Sequence, residues 1–135
     1  MFIYRCKIRL KQTDATGVIY FSEQFNIALE AFEEFLHHQG FSLRKLVDSP
    51  YLMPIVHAEA DYLAPVKVGD ELEVRIELAD LGTKSITIHY LIYHQEQEVG
   101  KVTLVHVTVD QSTRASVPIP DFIKTMMKNL KASEL

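Results

Sequence analysis

Cysteine, basic charge and long apolar runs are what this chain has least of. A single cysteine, Cys6, permits no internal disulfide and no zinc site built on paired cysteines. Fourteen Lys and Arg against 18 Asp and Glu leave a net charge of −4, the reverse of the basic footprint that nucleic-acid binding requires. Apolar stretches run only a few residues, far short of the roughly 20 that a membrane-spanning helix needs. Arg5 and Lys7 interrupt the opening segment where a signal peptide carries its apolar core, so the expected location is the cytoplasm. No Gly-x-Ser-x-Gly elbow, Walker loop or dinucleotide fingerprint occurs. Elbow-type serine hydrolysis and NTP or NAD chemistry therefore lack sequence support.

What remains is an ordinary globular composition, 47% apolar and 24% charged over 135 residues. A chain of that length buries roughly two-thirds of its unfolded surface. With no repeat, linker or low-complexity tract, residues 1–135 are expected to form one domain.

Periodicity supplies the elements. Phe2 to Leu10 alternate as a strand with one wet face. From Ser22 the period lengthens: Phe25, Leu29, Phe32 and Leu36 recur on one helical face, with Ser22 as the predicted N-cap and Gly40 as the stop. Phe41 to Asp48 has room for one more helical turn before Pro50. Four alternating segments follow, at 55–63 (Val56, Ala58, Ala60 and Tyr62 on one face), 71–78, 86–92 and 103–109. Turns are expected at Gly69-Asp70 and Leu81-Gly82-Thr83, and a hairpin tip at 95–98. Residues 121–131, after Pro118 and Pro120, read as a terminal helix. One long helix beside a largely antiparallel sheet of about five strands is the α+β class. Such a sheet has edges to cover, which points to a homo-oligomer.

Chemistry concentrates between the first strand and the long helix. Asp14 stands in a turn, Gly17 follows, and the helix opens a few residues later. A helix N-terminus offers unpaired N–H groups and partial positive charge, which can hold a developing oxyanion while a carboxylate attacks or activates water. The same residues also fit an Asx-turn or a helix cap with no chemistry. His57, Glu59 and Asp61 share one strand face and carry ligand-type side chains, but no second cluster accompanies them, so the reading is non-metal. Cys6 reads as a small hydrophobe in its strand.

Thr13-Asp14-Ala15-Thr16-Gly17-Val18-Ile19-Tyr20-Phe21, between a strand and the long helix, resembles the hotdog-fold thioesterases of the 4-hydroxybenzoyl-CoA type. The resemblance spans nearly the whole chain, including the Lys67-Val68-Gly69-Asp70 turn. Within that family, residues 52–62 and Glu30-Ala31-Phe32-Glu33 are most similar to the 1,4-dihydroxy-2-naphthoyl-CoA thioesterases of quinone biosynthesis. The fold this implies is a curved antiparallel sheet wrapped around the helix, with protomers paired edge to edge as a dimer or a dimer of dimers. Active sites lie between the paired protomers. Carried over by position, Asp14 is the catalytic carboxylate, as nucleophile or general base, and the Phe21 backbone N–H polarises the thioester carbonyl. Gly17, Tyr20, Glu30 and His57 are the implied neighbours of substrate, and Lys84 and Ser85 lie where the CoA nucleotide approaches. The implied partner is an acyl-CoA, with no metal or organic cofactor, membrane or nucleic acid. Leu29 departs from the pattern, since a His often precedes the helix Glu in these enzymes, and Thr16 stands where Ala is common. Two alternatives stand beside the aromatic substrate. One is a thioesterase for short or medium aliphatic acyl-CoA or acyl carrier protein; the other is a hotdog module that binds acyl-CoA without turnover.

Overall fold

The computed structural model describes residues 1–130. Its elements run β1 (Phe2–Lys7), α1 (Glu23–His38), α2 (Leu43–Asp48), β2 (Tyr51–Leu52), β3 (Ile55–Tyr62), β4 (Glu71–Leu81), β5 (Ser85–His94), β6 (Gln97–Val107), β7 (Val109–Asp110) and α3 (Asp121–Lys128). Five strands form one antiparallel sheet in the order β1-β4-β5-β6-β3, so α1 carries the chain from one edge of the sheet to the other. The predicted α+β architecture is borne out.

Alternation, strict in β5, puts Val74 and Ile76 of β4, Ile86, Ile88, Tyr90 and Ile92 of β5, and Val102 and Leu104 of β6 on one buried face. Helix α1 lies against that face. Its buried stripe is Gln24, Ile27, Ala28, Ala31, Phe32, Phe35 and Leu36. The predicted stripe therefore needs correcting: Leu29 is 40% exposed, and Phe25 is only partly buried. Selecting the largest side chains missed Ala28 and Ala31, whose small size lets the helix axis approach the sheet. Ile119, Ile123, Met126, Met127 and Leu130 close one end of the core.

Several boundaries shift. β1 ends at Lys7, and Leu10, expected on its apolar face, lies exposed in a single 3-10 turn at Leu10–Gln12. Ser22 makes no side-chain cap bond, because its backbone is already helical (φ −76°, ψ −17°) rather than extended as a capping residue requires. β4 reaches Leu81, and β6 starts at Gln97 and stops at Val107. Between β5 and β6 the hairpin tip narrows to Gln95 and Glu96, both at positive φ, the geometry of a type I′ turn. Helix α3 ends at Lys128; predicted residue Lys131 lies outside the described residues. The short β2–β7 ladder was not expected. Of the face predicted for β3, Ala60 packs on the core, while Val56 and Tyr62 are 60% and 50% exposed, because β3 is an edge strand with a bulge between Ile55 and His57.

Candidate active site

The segment from Thr13 to Phe21 is a small hairpin stapled to the body of the protein. Thr13 bridges Ile19, and the Asp14 N–H donates to the Val18 carbonyl at 2.9 Å. Ile19 N–H donates to Val66 O at 2.7 Å, and Val68 N–H to Gly17 O at 3.0 Å, tying the hairpin to the segment before β4. Gly17 sits at φ +80° with nothing within 4 Å of where a Cβ would stand. The turn therefore needs its glycine for left-handed backbone rather than for space.

Asp14 points its carboxylate into solvent within the single protomer. Its Oδ1 accepts from the Thr16 hydroxyl at 2.5 Å and from the Thr16 N–H at 2.7 Å. The Thr16 hydroxyl, then the Thr16 amide, hold the carboxyl below the usual range for aspartate, so it is ionised at neutral pH. Both of these bonds fall on Oδ1, and the Val18 amide also lowers the pKa of the carboxyl. The Asx-turn that the sequence allowed is thus present, and it orients the carboxylate and keeps it charged.

Phe21 occupies the turn that opens α1. Tyr20 N–H donates to Gln12 O at 2.8 Å, and Glu23 N–H donates to Tyr20 O at 2.9 Å. The peptide joining Tyr20 and Phe21 is thereby fixed through its carbonyl. Among the described residues nothing accepts from the Phe21 N–H. It stands as an open donor at the positive end of the helix. The Tyr20 and Phe21 rings meet edge to face at 4.8 Å, and both are exposed, giving this end of the helix an aromatic surface.

The other predicted residues are spread more widely. Glu30 lies two turns along α1, where its Oε2 accepts from the Tyr4 hydroxyl at 3.3 Å. Burial, then the Glu30 charge, push the Tyr4 hydroxyl up to about 12 and the Cys6 thiol up to about 11, so Cys6 is an un-ionised, half-buried thiol. Glu30 and Leu29 line a groove of about 410 Å³ with Lys11, Gln12, Glu23, Asn26 and Glu33. His57 faces away from α1, on the outer side of the sheet, 3.7 Å from Glu59. Among the described residues no three His, Cys, Asp or Glu gather as a metal ion would need. Lys84 and Ser85 stand at the far end of the sheet, where Gly82 N–H donates to Ser85 O and Lys84 O accepts from Thr108 N–H. The eleven residues of β4 separate them from the Asp14 end, about 34 Å at strand rise. The structure thus brings together Asp14, Gly17, Tyr20 and Phe21; within one protomer it does not bring His57, Lys84 or Ser85 to them.

Residues 8–127 match the model of the thioesterase-like superfamily. The chain belongs to that superfamily. The 1,4-dihydroxy-2-naphthoyl-CoA hydrolase of Rippkaea orientalis is 33% identical over 135 residues, covering 97% of this chain and 98% of the relative. That of Nostoc punctiforme is 36% identical over 123 residues, covering 90% and 83%. The solved structure of a 1,4-dihydroxy-2-naphthoyl-CoA thioesterase from Synechocystis superposes with a TM-score of 0.88 at 28% identity, covering 96% of each chain. The hotdog architecture expected from sequence is therefore the observed one.

Two residues of this thioesterase-superfamily chain bear on the site and were not singled out by sequence. Gln24, buried in the first turn of α1, donates through Nε2 to the carbonyls of Asp61 (2.9 Å) and Lys101 (3.3 Å). Gly100 makes room for it, since a Cβ there would fall inside the Gln24 amide. A glycine inside a strand can signal such a close approach, but Gly100 lies before the 103–109 segment read as a strand, so the signal was not legible. Tyr62, opposite Gly100 in the ladder, donates its hydroxyl to the Phe21 carbonyl at 2.5 Å. No helix among the described residues is long and apolar enough to cross a membrane.

Proposed function

We propose that this thioesterase hydrolyses 1,4-dihydroxy-2-naphthoyl-CoA to the free acid and CoA, with Asp14 as the reacting carboxylate and the Phe21 N–H as the oxyanion donor. The observation that carries the reading is the pairing of an ionised carboxylate, anchored by Thr16, with an open N–H at the start of α1. The substrate follows from the relatives' names and from the exposed Tyr20–Phe21 rings, a surface suited to a planar aromatic acyl group.

In the covalent route, the Asp14 carboxylate attacks the thioester carbon and the carbonyl oxygen gains negative charge against the Phe21 N–H. The C–S bond then breaks, and the CoA thiolate leaves and is protonated by water. Water opens the resulting mixed anhydride, restoring the Asp14 carboxylate and releasing the acid. In the alternative route Asp14 takes a proton from the attacking water, with the same oxyanion contact. Oxygen-18 from solvent entering the Asp14 carboxylate marks the first route.

The working unit is a homo-oligomer paired through the β3 edge. Val56, Tyr62 and Leu63 are exposed along that edge, and no element among the described residues pairs with its open side. A two-fold axis across antiparallel β3 strands continues the sheet and carries the partner's Lys84 and Ser85 to the Asp14 end. That arrangement gives the CoA phosphates a cation and a hydroxyl that the protomer alone keeps about a strand's length away.

The test is thiol release from 1,4-dihydroxy-2-naphthoyl-CoA, beside aliphatic acyl-CoA and acyl carrier protein thioesters, by the wild type and Asp14→Asn. The wild type is expected to prefer the aromatic thioester, and the variant to lose about 10²–10⁴-fold in kcat with an unchanged thermal midpoint. Near-wild-type turnover by Asp14→Asn removes Asp14 from the reaction. Preference for aliphatic thioesters overturns the substrate, and tight binding without thiol release overturns the enzyme.

A further inference from the structure

We infer that Tyr62 is a positioning residue for hydrolysis: its hydroxyl, bonded to the Phe21 carbonyl, fixes the peptide on the far side of Phe21 and so aims the Phe21 N–H. The inference rests on the proposed role of that N–H. Two peptide planes meet at the Phe21 Cα. The first, from Tyr20 to Phe21, is held where the Tyr20 carbonyl accepts from Glu23 N–H at 2.9 Å. The second, from Phe21 to Ser22, precedes the regular hydrogen bonding of α1, and its carbonyl accepts from Tyr62 Oη at 2.5 Å. With both carbonyls tethered, rotation about the two soft dihedrals of Phe21 is restrained from each side.

The tether is anchored on a stiff base. Tyr62 pairs with Gly100 across the β3–β6 ladder, and the Gln24 amide fills the space above Gly100 while holding the Asp61 and Lys101 carbonyls. Helix start, edge strand and neighbouring strand are thus joined at one point. Catalysis by an oxyanion donor depends on its being in place before charge develops, and small misplacements are expensive in rate.

Stability does not explain the bond. Within the protomer Tyr62 is 50% exposed, and one intramolecular hydrogen bond contributes only about 0.5–1.5 kcal/mol net, whether or not a second protomer covers the ring. Its effect should therefore appear in the chemical step.

Tyr62→Phe keeps the ring and removes only the donor. With 1,4-dihydroxy-2-naphthoyl-CoA as substrate, kcat is expected to fall about tenfold while KM stays within about twofold. Affinity for the thioether analogue, which has a methylene in place of the reacting carbonyl, should also stay within about twofold, because no oxyanion forms on it. Unchanged kcat overturns the inference. A parallel rise in KM and in the thioether dissociation constant also overturns it, since Tyr62 would then hold substrate directly. Asp14→Asn assayed alongside separates the two levels: if that variant still turns over, the reading of the site fails. If it is inactive while Tyr62→Phe is unaffected, only the positioning role fails.

Discussion

The two ends of α1 are finished in opposite ways. At the C-terminus Gly40 adopts φ +74°, its N–H donates to His37 O at 2.9 Å, and Phe41 N–H donates to Leu36 O at 3.0 Å. That pair of bonds is the Schellman closure, and the Lys45 ammonium adds a further bond to the Gly40 carbonyl. At the N-terminus Ser22 caps nothing, and the Phe21 N–H has no acceptor among the described residues. The C-terminal end is closed by a full motif, whereas at the N-terminal end the Glu23 and Phe25 N–H groups find the Tyr20 and Ser22 carbonyls and the Phe21 N–H is left open. An open donor at an exposed terminus costs little in water, whereas a donor already spent on a cap could not stabilise an oxyanion. The difference agrees with the proposal that the N-terminus is the working end.

The largest effect that tests this contrast is expected from Gln24→Leu. The substitution keeps approximate volume and deletes both bonds that pin the first turn of α1 to the Asp61 and Lys101 carbonyls. Unfolding free energy should fall by about 1–3 kcal/mol. Measured where the variant is fully folded, kcat should fall about tenfold with KM little changed. A variant that loses stability but keeps kcat would reduce Gln24 to packing and leave the N-terminal end no more specialised than the other.

How much of this was legible beforehand depends on whether the partner of a residue is coded by a side chain. Alternation in β4 and β5, and the long period after Ser22, were readable because each rests on spacing within one segment. The centre of the helical stripe was not, because Ala28 and Ala31 carry little hydrophobic signal yet occupy the closest approach to the sheet. The start of β6 was hidden because the β5–β6 register shifts at Ile92/Tyr93, so residues 97–101 do not alternate, and Val99 and Gly100 are both buried. Asp14, Gly17 and Phe21 could be proposed from sequence because they are neighbours in a short motif. Gln24 and Tyr62 were not, since they bond backbone carbonyls 37 and 41 positions away, and a carbonyl leaves no mark in the sequence.

Gly40→Ala probes the opposite end. Nothing crowds the position where its Cβ would stand, so the whole penalty is the left-handed backbone, about 1 kcal/mol. For a domain of this size that lowers the thermal midpoint by roughly 3–6 °C. kcat at 25 °C should be unchanged, because no site residue lies at that end of α1. A fall in kcat comparable to that of Gln24→Leu would show the two ends to be coupled, and the contrast between them would fail.

The smallest effect is expected from Thr16→Val, which leaves the rate at neutral pH nearly intact and moves only its acid limit. The Thr16 hydroxyl is the chief cause of the lowered Asp14 ionisation, with the Thr16 amide second. Valine keeps the branched shape and the amide and deletes the hydroxyl. A carboxylate that must be charged to act supports turnover above its pKa and loses it as pH falls through that value. In the wild type the acid limb of kcat/KM should therefore lie below the ordinary aspartate range of about 3.9. In the variant the folded-state pKa rises toward that value, so the limb moves to higher pH, partially, because the amide bond at 2.7 Å survives. A pH profile of kcat/KM decides the matter. An unmoved limb means that some group other than Asp14 titrates there; a limb moved to lower pH means that the Thr16 hydroxyl does not stabilise the charged form. Neutral-pH turnover is insensitive to either outcome, so the shift reports the electrostatics of the N-terminal end alone.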